Sequence, residues 1–125
     1  MKIILDASVL ISAFLSTRGG SHAILSKEVD LVTSSKAIGE FYRFVTSNFP
    51  DRLAFATRFL DSFPLDIIEP TGIRQFCRDS SDDYLVNLAI ETGADFLATL
   101  DNDLLVLKRV GRTRIVKPEE ITGKG

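Results

Sequence analysis

The chain has 125 residues, a length that suits one domain and leaves little room for a second. Apolar residues make up 45% and charged residues 26%, and the net charge is -2, so a disordered composition and a strongly basic chain are both excluded. A single Cys77 and a single His22 exclude a disulfide or a Cys/His zinc site within one chain. We therefore expect chemistry based on carboxylates, hydroxyl groups, Lys, Arg and a hard metal ion.

Strand and helix patterns alternate along the chain. Short apolar or β-branched runs at residues 3–5, 31–33, 65–68, 94–99 and 114–116 are typical of strands in a parallel sheet. Helical patterns occupy residues 8–15, 35–49, 50–63 and 82–92, and residues 118–121 form a helical turn. This alternation predicts an α/β three-layer sandwich with a central, mostly parallel sheet of about four to five strands.

The N-terminal residues show no pattern of a secretory signal. The apolar run at residues 3–5 meets Asp6 at once and is too short for a signal-peptide core. No apolar run approaches the ~20 residues of a membrane helix, and a lone cysteine fits a reducing compartment. We expect a cytoplasmic protein with no membrane segment, one domain over residues 1–122 and a disordered tail at 123–125.

Acidic residues follow the predicted strands, at the edge where open α/β sheets bind ligands. They come from chain-distant segments: the end of the first strand, the helix after the second, the start of the helix at 82, and the loop after the fourth. These acids are Asp6, Glu40, Asp79, Asp82, Asp83, Asp101 and Asp103. Converging carboxylates repel each other unless a cation neutralises them, and all-oxygen ligands favour Mg²⁺ or Mn²⁺ over zinc or copper.

Most of these acids also have an ordinary structural explanation. The run from Asp101 to Asp103 is typical of a turn, and Asp82 or Asp83 at a helix start is typical of a cap. Asp6 directly follows an apolar strand, and a capping role is less obvious for it than for the other acids. The joint pattern, rather than any one acid, favours a metal site.

Four segments in order resemble the PIN-domain family, of the kind found as the toxin of bacterial and archaeal toxin–antitoxin pairs. The segments are residues 4–10 (ILDASVL), 34–40, 82–95 and 97–105, and the resemblance covers the chain from residue 3 to about residue 120. It implies a PIN-like fold and a Mg²⁺- or Mn²⁺-dependent endoribonuclease. Hydrolysis of an RNA phosphodiester would leave a 5′-phosphate and a 3′-hydroxyl. The resemblance also implies a homodimer and a small antitoxin protein as partner.

The family motif transfers residue by residue onto this sequence. The catalytic acids implied are Asp6, Glu40, Asp83 and Asp101. The metal ligands implied are Asp6, Asp83, Asp101 and Asp103, with Ser8 and Thr99 in support. The family has hydroxyl or amide residues in both positions after the first acid, whereas here they are Ala7 and Ser8. Ala7 offers no hydrogen bond, so weaker support for Asp6 is expected.

Basic residues follow the acidic loop, at Lys108, Arg109, Arg112, Arg114 and Lys117. They either hold the phosphates that flank the scissile one or form a solvated edge. Arg43, three residues after Glu40, either contacts RNA or pairs with Glu40. The Phe-rich helices between residues 41 and 63 are mainly core, and any excess apolar face would serve a dimer or an antitoxin helix.

Two other classes of function stay open from the sequence. One is a catalytically silent PIN-like module that only binds RNA or a protein. The other is a phosphoryl-transfer or receiver-type domain with Asp6 as phosphoacceptor, although a Ser stands at position 8 where haloacid-dehalogenase-like enzymes carry a second Asp. Whether one or two metal ions bind is also open.

Overall fold

The computed structural model describes residues 1–72 and 80–123; Cys77, Asp79 and residues 124–125 lie outside this part. The strands described are β1 (Lys2–Leu5), β2 (Asp30–Thr33), β3 (Leu65–Ile67), β4 (Phe96–Ala98), β5 (Arg109–Val110) and β6 (Thr113–Val116). The helices described are α1 (Ala7–Leu15), α2 (Gly20–Leu25), α3 (Ser35–Asn48), α4 (Leu53–Asp61), α5 (Ser80–Thr92), α6 (Asn102–Leu105) and α7 (Pro118–Thr122). None of these helices has the length and apolar character needed to cross a membrane.

The strands form one sheet in the order β3-β2-β1-β4-β6-β5, parallel except for β5. The chain builds β2 and β3 on one side of β1, then crosses to build β4 and β6 on the other side. The order therefore reverses between β1 and β4, and a ligand crevice is expected where the carboxyl ends of these two strands diverge.

Each face of the sheet is covered by helices. Ile3 and Leu5 of β1 point into one apolar core, together with side chains of α1 to α4 such as Phe41. Ile4 points to the opposite face, into a second core with Leu88 of α5 and others. The alternation along β1 is what a strand buried on both faces requires. The predicted three-layer α/β sandwich with a mostly parallel sheet is confirmed.

The sheet has six strands where four to five were expected. The additional strand, β5, has only two residues and pairs antiparallel with β6 across a turn at Gly111, whose φ is 59°. A two-residue strand shows no alternation of apolar and polar residues, so no sequence pattern could reveal it.

Several helix ends follow from local hydrogen bonds. Ser34 caps α3, with its Oγ accepting from the backbone N–H of Ala37 at 3.1 Å. The helix expected after Pro50 begins as a 3-10 turn, Pro50–Arg52, and becomes regular at Leu53. The loop after β4, expected to be a turn, contains the short α6, which Asp101 caps.

Candidate metal centre at the ends of β1 and β4

The carboxyl ends of β1, β4 and β6 are tied together by backbone hydrogen bonds. The N–H of Asp6 donates to the carbonyl of Ala98 at 3.1 Å, and the N–H of Thr99 donates to the carbonyl of Val116 at 3.0 Å. The residues that follow β1 and β4 therefore leave the sheet side by side, at the crevice between the two strands.

Asp6 is nearly buried, with 7% of its surface exposed. It occupies the N-cap position of α1, but its side chain accepts no capping hydrogen bond from a backbone N–H of that helix. Instead, Oδ2 accepts from Thr99 Oγ1 at 2.6 Å and from Ser8 Oγ at 2.8 Å. Although Ala7 offers no donor, Asp6 thus receives two hydroxyl donors, from Ser8 and from Thr99, which directly follows β4.

The same two hydroxyls hold the loop after β4. Ser8 Oγ accepts from the backbone N–H of Leu100, and Thr99 Oγ1 accepts from the backbone N–H of Asp101, both at 3.0 Å. Each hydroxyl therefore donates to Asp6 and accepts from the loop that carries Asp101. This network sets the position of Asp101 relative to Asp6.

Three carboxylates meet at this edge. Asp82 from the first turn of α5, Asp101 and Asp103 each have an oxygen within 4.8 Å of the others. Asp82 is 8% exposed, while Asp101 is half-buried and Asp103 exposed. Asp101 also caps α6, because its Oδ1 accepts from the backbone N–H of Asp103 at 2.9 Å. Asp101 therefore caps α6 and also belongs to the group of three acids.

The chemistry of this group of acids fits a hard divalent cation. Carboxylate oxygens bound to one Mg²⁺ lie 2.0–2.1 Å from the ion, hence at most about 4.2 Å apart. The three oxygens here lie within 4.8 Å of one another, so the three side chains are near enough for one ion to draw them together. Because Asp103 is exposed, water can complete the coordination that Mg²⁺ prefers.

The other predicted acids lie outside this group of three. Asp83 is 2% exposed, and its backbone carbonyl accepts from Asn87 Nδ2 at 2.7 Å. Glu40 lies half-buried on α3. Neighbouring residues on a helix point about 100° apart, so Asp82 and Asp83 face different directions. Asp82 is not among the ligands that the resemblance implies, because no motif reveals the rotational phase of α5, and the role of Asp83 stays a prediction.

The basic residues that were predicted to bind RNA lie in different parts of the structure. Arg112 lies at the opposite, amino-terminal edge of the sheet, where its guanidinium is 3.4 Å from Asp95. Asp95 also accepts from the backbone N–H of Lys2 at 2.9 Å, and chiefly this bond, aided by Arg112, lowers the pKa of Asp95. Lys108 and Arg109 line a cavity beside α6, and Arg43 is exposed on α3.

A further carboxylate ties α5 to the loop after β3. Glu91 accepts from the backbone N–H of Thr71 at 2.8 Å and from its hydroxyl at 2.7 Å. These hydrogen bonds, the backbone one first, lower the pKa of Glu91. The contact helps to position α5, the helix that carries Asp82.

A family model of the PIN domain matches residues 2–103, from the start of β1 to Asp103. The match includes all the acids placed above. Proteins of this family are generally nucleases that use divalent metals and bind nucleic acid. No curated protein matches the chain significantly.

Proposed function

The chain belongs to the PIN-domain family, and from this membership we propose that it is a Mg²⁺- or Mn²⁺-dependent endoribonuclease. The observation that supports the proposal most directly is the group of Asp82, Asp101 and Asp103 at the β1–β4 crevice. The family supplies the reaction class, and the oxygen-only donor set supplies the choice of metal.

Asp82, Asp101 and Asp103 would hold the cation, with Asp6 and Asp83 as further ligands. When bound, the ion supplies Lewis-acid polarisation of a phosphodiester and makes water a better nucleophile near neutral pH. Thr99 and Ser8 keep the Asp6 carboxylate in one orientation, since both hydroxyls donate to the same oxygen. This preorganisation reduces the reorganisation needed when substrate arrives.

Glu40 and Asp83 are assigned to orienting the attacking water by accepting hydrogen bonds from it. No His or Lys base is required, in keeping with a chain whose one histidine, His22, lies in α2. Hydrolysis in this way leaves a 5′-phosphate and a 3′-hydroxyl.

The biological setting is a further part of the proposal. We propose the toxin role in a toxin–antitoxin pair, with a homodimer, a small antitoxin partner and a cytoplasmic location. These parts rest on the resemblance and on the sequence.

The decisive test is cleavage of a mixed panel of RNAs by the purified chain with Mn²⁺, with and without EDTA. We expect EDTA to abolish cleavage and Asp6→Asn or Asp101→Asn to slow it at least about 100-fold, since metal charge stabilisation amounts to several kcal/mol. Circular dichroism should show an unchanged fold in both variants. Equal cleavage by wild type and both variants would overturn the proposal, and binding without metal-stimulated cleavage would favour the silent binding module.

A further inference from the structure

A cavity of about 590 Å³ lies beside β6, at the outer edge of the sheet. Its walls come from α6, the β5–β6 hairpin and the start of α7. The charged side chains among them are Lys108, Arg109, Arg114, Lys117 and Glu120. Glu120 already accepts a hydrogen bond, because its Oε2 lies 2.8 Å from the backbone nitrogen of Lys117. Four positive groups against one negative group make the cavity strongly electropositive.

Two of these cations stand directly opposite each other. Arg109 and Arg114 are register partners in the antiparallel β5–β6 pair, so their Cβ atoms are about 5 Å apart on one face. Like charges in this position are destabilising. Neither residue forms a salt bridge with another described residue. An anionic ligand between them would remove the repulsion.

The neighbouring strand helps to orient one of these arginines. Phe96 of β4 is the register partner of Arg114 on the other side of β6. The guanidinium carbon of Arg114 lies 5.9 Å from the centre of the Phe96 ring, a cation–π distance. Arg114 is therefore positioned by packing rather than by a carboxylate, which leaves its donors available to a ligand.

The backbone conformation of Lys108 is a further indication that this cavity is functional. Its φ is 62°, and it is the one non-glycine residue with positive φ in the described part of the chain. Its backbone is held there, because its N–H donates to Leu105 and its carbonyl accepts from Ile115. Glycine would occupy this conformation without strain, so a lysine here has a backbone cost, and such strained residues cluster at functional sites.

The cavity adjoins the candidate metal centre. Asn102 lines the cavity and stands in the chain between Asp101 and Asp103. The short helix α6 is therefore a wall shared by the electropositive cavity and the group of acids. A ligand that spans both would present one phosphate to the acids and its neighbours to the cations.

The geometry points to a subsite for the backbone phosphates of a single RNA strand, next to the phosphodiester that is cleaved. This inference rests on the proposed function and extends it to the path of the substrate. Arg109 and Arg114 supply bidentate donors to the phosphates, and Lys108 and Lys117 add charge at the rim. Arg112, adjacent in sequence, is excluded because it pairs with Asp95 at the other edge of the sheet.

The test is the salt dependence of binding to a fluorescent 12-nucleotide single-stranded RNA, measured by anisotropy in an Asp101→Asn background. For single strands, the slope of log Ka against log salt changes by about 0.7 for each phosphate that the protein no longer neutralises. We expect Arg109→Gln and Arg114→Gln each to reduce the slope by about 0.7. Together they should reduce it by about 1.4 and weaken binding roughly 10- to 100-fold at 50 mM salt. Arg112→Gln removes the same charge and should leave the slope unchanged.

The folded state provides a second readout. The double variant loses the repulsion between the two arginines and also the contact of Arg114 with the Phe96 ring, so its melting temperature is measured and binding is compared where both proteins are folded. If the double variant and Arg112→Gln have equal slopes while the parent binds RNA, the subsite is overturned and the proposed function stands. If the wild-type chain neither binds nor cleaves RNA, both are overturned.

Discussion

The two edges of the sheet use aspartate in opposite ways. At the amino-terminal edge, Asp95 is satisfied within the chain by the N–H of Lys2 and by Arg112. At the carboxyl-terminal edge, Asp101 and Asp103 lie beside Asp82, and neither of the two forms a salt bridge with a described residue. The first arrangement is complete without a ligand, whereas the second gathers negative charge that a cation would neutralise. Similar carboxylates thus serve structure at one edge and a candidate metal site at the other.

The largest expected difference between the edges is the response of stability to metal. With Mn²⁺ at about 100 times its Kd, wild type should gain about 2.7 kcal/mol in the free energy of unfolding. Mn²⁺ should raise the free energy of unfolding of Asp95→Asn by the same amount and that of Asp103→Asn by clearly less. Without metal, Asp103→Asn should be more stable than wild type by up to about 1 kcal/mol, because like charges are removed, and Asp95→Asn less stable. Urea unfolding measures the stability with metal in Mn²⁺ and the stability without metal in EDTA. An equal Mn²⁺ gain in Asp103→Asn would contradict the comparison.

Two buried threonines at the carboxyl-terminal edge allow a structural hydrogen bond to be compared with one made to the candidate metal centre. Thr99 and Thr33 are both fully buried at strand ends, but Thr99 donates to the Asp6 carboxylate and Thr33 to the backbone carbonyl of Leu5. Replacing either by Val should lower stability by about 1–3 kcal/mol. Only Thr99→Val should also slow RNA cleavage, by about 10- to 100-fold, because it releases a residue of the metal centre.

The variant Thr99→Ser distinguishes a role of the Thr99 hydroxyl in positioning Asp6 from a role of Thr99 in packing. Thr99→Ser keeps the hydroxyl and should restore most of the cleavage rate, whereas Thr33→Val should cleave at the wild-type rate once folded. Equal losses of activity in Thr99→Val and Thr33→Val would show that the effect is only structural.

The smallest expected effect is the pH dependence of the amino-terminal edge. The pKa of Asp95 is lowered in the folded chain, so its contribution to stability is complete above the ordinary carboxyl pKa of about 4. It is lost as the pH falls through the lowered pKa. The melting temperatures of wild type and Asp95→Asn should therefore differ at pH 7 and converge at acid pH. A difference that does not shrink as the pH is lowered would contradict a stabilising role for the ionised Asp95 carboxylate.

The sheet was predictable because its determinants are local. The apolar run at residues 3–5 alternates between two cores in the structure, as a strand buried on both faces must. By contrast, β5 and α6 contain two and four residues, too few for any periodicity to appear. They exist because hairpin pairing with β6 and the cap from Asp101 stabilise them.

The sequence by itself determined the chemical inventory: a carboxylate-rich, histidine-poor chain whose acids follow strand ends, and membership of the PIN-domain family. Only the tertiary structure decided which acids meet. The phase of α5 brings Asp82 close to Asp101 and Asp103, and strand pairing places Arg112 at the other edge of the sheet while Arg109 and Arg114 line one cavity. The reason is physical, since composition and order are properties of the chain, whereas proximity depends on helix rotation and strand register, which the packing of the whole domain sets.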